Sequence, residues 1–250
     1  MSNRVPPPVP SRKAVAAPGR VWLFDLDDTL HDASHAVFAA GSQAMTDYIV
    51  RHLGLDREAA AELRRRYWQR YGATLLGLVR HHGVKAAHFL HETHLLPGLE
   101  ERLRTSAHDR AALARLPGRK VVLTNAPRAY ALRVLGALGL ARQFEAVLAI
   151  EDMTMFGSHR PKPDARMLRH VAARLKVSPH RCTLVEDTLV HQKAACGIGM
   201  RTVWMRRYLR GRPAAAPSAL PPGAERGARR CRRPAYVGRV VASLQALRGG

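Results

Sequence analysis

Four short apolar runs in this chain stop abruptly at polar or charged residues, and that pattern restricts the fold more than any other feature. Val21-Trp22-Leu23-Phe24 runs into Asp25-Leu26-Asp27-Asp28-Thr29, Lys120 to Leu123 into Thr124-Asn125, and Cys182 to Val185 into Glu186-Asp187. The run Ala146 to Ile150 is followed by Lys162, set between Pro161 and Pro163. Bounded apolar runs of this length read as buried strands. Helical patterns alternate with them: Arg128 to Leu138 with Leu132, Leu135 and Leu138, Asp164 to Leu175 with Leu168, Val171 and Leu175, and Leu189 to Cys196 closed by Gly197 and Gly199. Arg201 to Trp204 adds another strand. Repeated strand–helix units predict an α/β fold with a parallel sheet covered on both faces. Working residues of such sheets gather beyond the carboxyl ends of the strands.

At that edge the sequence places carboxylates, a hydroxyl and an ammonium, each with a use in phosphoryl transfer. Asp25 and Asp187 can hold Mg²⁺ through oxygen ligands. A carboxylate can attack phosphorus once cations neutralise the phosphate. Thr124 and Lys162 can bind the equatorial oxygens. Asp27, two residues after Asp25, can serve as acid and then as base. Asp28 reads as a cap of the local turn and Thr29 as a turn-stabilising hydroxyl. Glu186 has two readings, a metal ligand or a group that orients water on the metal.

The set Asp25-x-Asp27-x-Thr29, Thr124-Asn125, Lys162 and Glu186-Asp187 resembles the four motifs of the haloacid dehalogenase superfamily, over residues 21–206. The resemblance implies a Rossmann-like three-layer core with an α-helical cap inserted after the first motif. It also implies Asp25 as nucleophile, Asp27 as acid and base, and phosphate binding by Thr124, the Asn125 amide and Lys162. The metal would be held by Asp25, the Asp27 carbonyl and Asp187, with Glu186 beside them. Phosphatases of the superfamily keep the second acid, which dehalogenases lack, so Asp27 points to phosphate chemistry. Asp25 and Thr124 are 99 residues apart and Thr124 and Lys162 only 38, which puts the cap in the first interval.

Residues 33–109 read as that helical cap. Val37, Ala40, Ala44 and Tyr48 fall at helical spacing, Asp56 is an N-cap before Arg57, and Gly72 and Gly83 end further helices. The stretch Tyr67-Trp68-Gln69-Arg70-Tyr71-Gly72-Ala73-Thr74-Leu75-Leu76-Gly77-Leu78 resembles the YxxYGTTLxGL segment of the pyrimidine 5′-nucleotidase subfamily. Leu116 to Ala126 and Ala194 to Trp204 are also similar to it. That resemblance implies a small phosphomonoester substrate, a pyrimidine nucleotide such as UMP or CMP, with Tyr71, Thr74 and His94 as substrate contacts. Ala73 and His31 depart from the subfamily pattern near the pocket entrance, which bears on base preference. A phosphatase for sugar phosphate or phosphoglycolate is the neighbouring alternative.

The net charge of +22 is uneven. Residues 1–20 carry Arg4, Arg12, Lys13 and Arg20 without an acid, and residues 206–250 carry eleven Arg and one Glu. Residues 1–20 read as a flexible arm, 21–32 and 110–208 as the catalytic core, 209–235 as a disordered Pro/Arg-rich segment, and 236–250 as a possible last helix. The basic tail is open to non-specific contact with nucleic acid, and a nucleic-acid-binding protein with an idle core is the alternative of another class. Three cysteines rule out a disulfide scaffold and point to a reducing, cytoplasmic setting. No apolar run is long enough to span a membrane. His88, His91 and His94 recur every three residues, but His91-Glu92-Thr93-His94 lacks the four-residue His spacing of a zinc helix, so they read as incidental imidazoles of a partly exposed cap helix, with one, His94, open to nucleotide contact.

Overall fold

The structure, a computed structural model, describes residues 19–104, 106–210 and 233–247. Strand β1 (Val21–Phe24) leads into helices α1 (Ala33–Ala36), α2 (Phe38–Leu53), α3 (Arg57–Tyr71), α4 (Thr74–His82), α5 (Ala86–Thr93), α6 (Leu99–Arg102) and α7 (Ala107–Arg115). Strand β2 (Arg119–Leu123), helix α8 (Arg128–Ala137) and strand β3 (Ala146–Leu148) follow. Next come a hairpin of β4 (Thr154–Met155) and β5 (Ser158–His159), helix α9 (Ala165–Arg174), β6 (Cys182–Glu186), α10 (Leu189–Cys196), β7 (Arg201–Met205) and β8 (Arg239–Val241).

Six strands form one sheet in the order β3-β2-β1-β6-β7-β8, every pair parallel. Alternation along each strand divides the core. Trp22, Phe24 and Val122 face the layer that holds α8, while Val21, Leu23, Val121 and Leu123 face the layer that holds α9. The chain steps outward from β1 in one direction to β2 and β3, then returns to β6 on the other side of β1. This reversal opens a crevice between the ends of β1 and β6, the usual place for a ligand in an open α/β sheet.

The helices after β1 separate by what they bury. Tyr48, Ile49, Ala60, Leu63, Tyr67, Leu75, Leu78, Phe89 and Leu90 form a core of their own, joined by Ile150 from beyond β3. Leu96, Leu99, Leu103, Leu113 and Leu116 pack instead with the sheet residues, as do Ala33, Ala36 and Val37. The cap's own core is therefore drawn from α2 to α5, inside the expected limits of 33–109. Its ends follow the sequence signals. Asp56 accepts from the Ala59 amide at 2.8 Å, and Gly72 and Gly83 close α3 and α4 with positive φ. Gly77 is a contact glycine: a Cβ there would lie 2.2 Å from Cγ of Tyr67, so α3 and α4 meet only because it has none.

The C-terminal expectation needs correction. Residues 236–247 are not a helix. They form β8, paired in parallel with β7 through Val203↔Arg239, Trp204↔Val240 and Met205↔Val241, followed by one 3-10 turn at Leu244–Ala246. Two causes are visible. The β-branched Val237, Val240 and Val241 favour a pleated surface, and β7 offers an open edge. Val237, Val241, Leu244 and Leu247 are buried by the arrangement. Of the flexible-arm reading of 1–20, residues 1–18 lie outside the described residues, as do 211–232 of the disordered-segment reading of 209–235; at the start of the latter, Leu209 and Arg210 belong to a 3-10 turn, Tyr208–Arg210.

Candidate active site

The ends of β1 and β6 bring the acids together. The Asp25 amide donates to the Val185 carbonyl at 3.0 Å, extending the β1–β6 ladder one residue into the site. The β6 end is fixed from behind, where Gln192 donates to the carbonyls of Glu186 and Val203 and Trp204 Nε1 donates to the Asp187 carbonyl. Carboxylate oxygens of Asp25, Glu186 and Asp187 lie within 4.8 Å of one another.

Lys162 completes this cluster. Its ammonium donates to Asp25 Oδ1 and to Glu186 Oε2, each at 2.7 Å, and it is fully buried. Asn125 holds it there. The Asn125 side chain donates to the Lys162 carbonyl and accepts from the Lys162 amide, both at 2.9 Å. No local pattern marks this clamp, which joins two motifs 37 residues apart. Thr124 is buried, and its hydroxyl oxygen accepts from the Ala126 amide at 3.0 Å, which leaves the O–H to donate into the site.

Charges so placed disturb one another. Burial and the Glu186 carboxylate push Asp25 up to about 8, against the pull of Lys162. Burial, with Glu186 and Asp25 adding, raises Asp187 well above the carboxylate range. Burial also resists ionisation of Glu186 and Lys162, but attraction prevails. Lys162 and His191 hold Glu186 low, and Asp25 and Glu186 hold the Lys162 ammonium above its ordinary value. Glu186 and Lys162 thus form a fixed ion pair, while Asp25 and Asp187 repel each other. Hard oxygen donors crowded by like charge are the donor set that suits a divalent cation such as Mg²⁺.

The second acid has its own support. Tyr130, in the first turn of α8, donates to Asp27 Oδ1 at 2.6 Å, and Nε2 of the fully buried His31 lies 3.0 Å from the same oxygen. Both contacts fall on Oδ1 of Asp27. Burial first, then Asp27, raises the Tyr130 hydroxyl, which stays a donor at neutral pH. Asp28 adopts φ 55° and its buried carboxylate accepts from the Ser34 amide and hydroxyl, fixing the exit toward α1. Thr29 does not follow its expected role, because its buried hydroxyl has no hydrogen-bond partner.

A family model of haloacid dehalogenase-like hydrolases matches residues 20–195, more than two-thirds of the chain. The chain belongs to the haloacid dehalogenase-like hydrolases. Phosphate metabolism protein 8 of Saccharomyces cerevisiae is 24% identical to this hydrolase over 210 residues, 79% of this chain and 62% of that protein. A plasmid phosphoglycolate phosphatase of Cupriavidus necator is 32% identical over 112 residues, 45% of this chain and 43% of that protein. The chain therefore spans less than two-thirds of the length of either relative. The crystal structure of a HAD phosphatase from Thermococcus onnurineus shares the fold, with TM-score 0.56 and 19% identity over 91% of this chain and 95% of that one.

The cap residues of this hydrolase divide. His94 packs edge-on against Tyr130, with ring centroids 5.7 Å apart, and its Nδ1 lies 3.1 Å from the Leu90 carbonyl. Burial pushes its imidazole down to about 4, against the charge of Asp27, so it is neutral at pH 7. Thr74 is buried within the cap and donates to the Arg64 carbonyl at 3.2 Å, a packing contact between α3 and α4. Tyr71 hydrogen-bonds His81 and carries Arg70 and Arg80 over its ring. Of the three expected substrate contacts, His94 alone is joined to the acid site through a described contact. Sequence reasoning missed Tyr130, and His31, expected near the pocket entrance, is instead fully buried against Asp27. Tyr130 sits just past Thr124-Asn125 in a helix that starts at the working edge, and that position was the available signal. Among the described residues no helix is long and apolar enough to cross a membrane.

Proposed function

We propose that the protein is a Mg²⁺-dependent phosphomonoester hydrolase that works through a phosphoaspartate on Asp25. The observation that carries this is the Lys162 ammonium, 2.7 Å from both Asp25 and Glu186 at the edge that also holds Asp187. Asp25, Asp187 and the Asp27 carbonyl would hold Mg²⁺, which when bound offsets the negative charge of phosphate and carboxylates. Glu186 is engaged by Lys162 and by the Thr188 amide, which favours a positioning role over direct ligation.

Asp25 attacks phosphorus with a carboxylate oxygen while the bond to the substrate oxygen breaks. Asp27 delivers a proton to that leaving oxygen. A water molecule then attacks the phosphorus of the acyl phosphate, Asp27 takes its proton, and the Asp25–phosphorus bond breaks to release phosphate. Lys162 stays protonated and offsets charge on both Asp25 and the phosphoryl oxygens. Thr124 and the Asn125 amide hold the remaining phosphoryl oxygens.

The substrate read from the cap is a pyrimidine nucleoside 5′-monophosphate, supported by the Tyr67–Leu78 segment and by the tight packing of Tyr67 on Gly77. A phosphoglycolate or sugar-phosphate substrate is the second reading, favoured by the 32% identity to a phosphoglycolate phosphatase. Phosphate release from UMP, CMP, AMP, GMP, phosphoglycolate and sugar phosphates, with Mg²⁺ and after EDTA, tests both. Higher kcat/KM for UMP or CMP than for purines, lost with EDTA, is the expected result. Equal purine turnover or preference for phosphoglycolate rejects the pyrimidine assignment, and release that survives EDTA rejects the metal.

A further inference from the structure

His52, in the last turn of α2, meets His88 and Glu92, one turn apart on α5. Nitrogen and carboxylate atoms of the three lie within 4.8 Å of one another. His88 Nε2 is 2.9 Å from Glu92 Oε1, and His52 Nε2 is 3.7 Å from Glu92 Oε2. All three side chains reach solvent, so a cation can enter and keep water as its remaining ligands. We propose that this cluster is a second metal site, on the cap, for a divalent d-block cation of the Zn²⁺ type. Two imidazoles and one carboxylate suit Zn²⁺, whereas Mg²⁺ prefers oxygen alone, so the two sites of this chain would select different ions.

The surrounding residues support the ligands. Tyr48 Oη lies 2.9 Å from His88 Nδ1, which directs Nε2 toward the cluster. Without metal, Nε2–H donates to Glu92 and the Tyr48 hydroxyl donates to Nδ1. With metal on Nε2 the neutral imidazole carries its proton on Nδ1 and donates to Tyr48 Oη. The His52 ring packs on Tyr48 with centroids 4.2 Å apart, which limits its rotation. Arg51 donates to Glu92 Oε2 at 2.9 Å, leaving Oε1 to turn to the cation. His88 and Glu92 stand four residues apart on one face of α5, and the third ligand arrives from another helix.

The test is titration of the intact protein with Zn²⁺ against a chromophoric chelator, in millimolar Mg²⁺, together with the visible spectrum of the Co²⁺ form. One equivalent that Mg²⁺ does not displace is expected, with a Co²⁺ spectrum of nitrogen and oxygen ligands and no thiolate charge-transfer band. His52→Ala and His88→Ala should each weaken binding at least about tenfold, and Tyr48→Phe about tenfold, the scale of an outer-shell partner. His91→Ala, exposed on the same helix outside the cluster, should change nothing. Circular dichroism checks that each variant keeps its helices, and Glu92→Gln supplies a further ligand variant if one does not. Absence of a Mg²⁺-resistant equivalent, a thiolate band, or binding that survives both His variants overturns the site.

Discussion

The catalytic edge hides its charges, whereas the cap displays them. Lys162 and Glu186 are each 1% exposed and bound to one another, while His52 and His88 on the cap are 37% and 46% exposed. A buried ion pair missing one partner leaves an uncompensated charge and costs several kcal/mol, but an exposed pair contributes little to stability. Geometry at the core is therefore held by electrostatics before substrate arrives. The cap is held by apolar packing among Tyr48, Tyr67, Leu78 and Phe89, and its ion pairs lie toward solvent.

The sharpest way to break this contrast is Asp25→Asn. On the proposed mechanism, phosphate release should fall below detection because the attacking carboxylate is gone. Stability should move the other way. The Asp25 carboxyl is raised from 3.8 to about 8, so the folded chain binds the extra proton in that interval and its stability falls as pH rises through it. A neutral Asn removes that penalty, and the melting temperature at pH 8 should equal or exceed that of the parent. A large drop in melting temperature would show that Asp25 is chiefly structural. Asp27→Asn comes next, with a loss of about 10²–10⁴ in kcat, the scale of general acid–base help. The loss should shrink for p-nitrophenyl phosphate, whose leaving group needs less protonation; equal loss for both substrates assigns Asp27 to structure alone.

Smaller effects belong to the cap. Gly77→Ala forces a methyl into the Tyr67 ring and should destabilise by about 1–3 kcal/mol, measured by thermal unfolding. It should lower kcat/KM for a nucleotide more than for p-nitrophenyl phosphate; an unchanged melting temperature would deny the close contact of α3 and α4. His94 gives the mildest effect. Its pKa is lowered from 6.5 to about 4, so the unfolded chain binds the proton first, and the stability contribution present above pH 6.5 is lost as pH falls toward 4. His94→Gln should flatten that acid limb in a series of melts from pH 7 to 4.5, and an equally steep limb in the variant assigns it to other groups.

The gathering of acids at one edge was legible because β1, β2 and β6 each run into polar residues, and parallel pairing then forces those ends together. Tyr130 and His31 were not, because their role depends on converging on one oxygen of Asp27. Tyr130 comes from 103 positions away and otherwise reads as an apolar residue of an amphipathic helix. The cap's existence followed from the 99-residue interval, but its limit did not. Leu99 and Leu113 have the same periodicity whether they face cap or sheet, and only packing assigns them to the sheet. β8 was hidden for a related reason: four of its neighbourhood's apolar residues also fit a helical face, and the deciding factor was the vacant edge of β7, which local sequence cannot express.

That last strand changes the topology of the arginine-rich stretch. Residues 211–232 are not an end; they join the turn at Tyr208–Arg210 to a segment seated in the sheet. Beyond that connection, residues 233–247 are held on the core by the β7 ladder, by hydrogen bonds of Thr202 to the Tyr236 carbonyl and from the Gly238 amide, and by the burial of Val237, Val241, Leu244 and Leu247. Both ends of the arginine-rich connection are therefore anchored on the core, which makes it a closed loop on the sheet edge and not a tail.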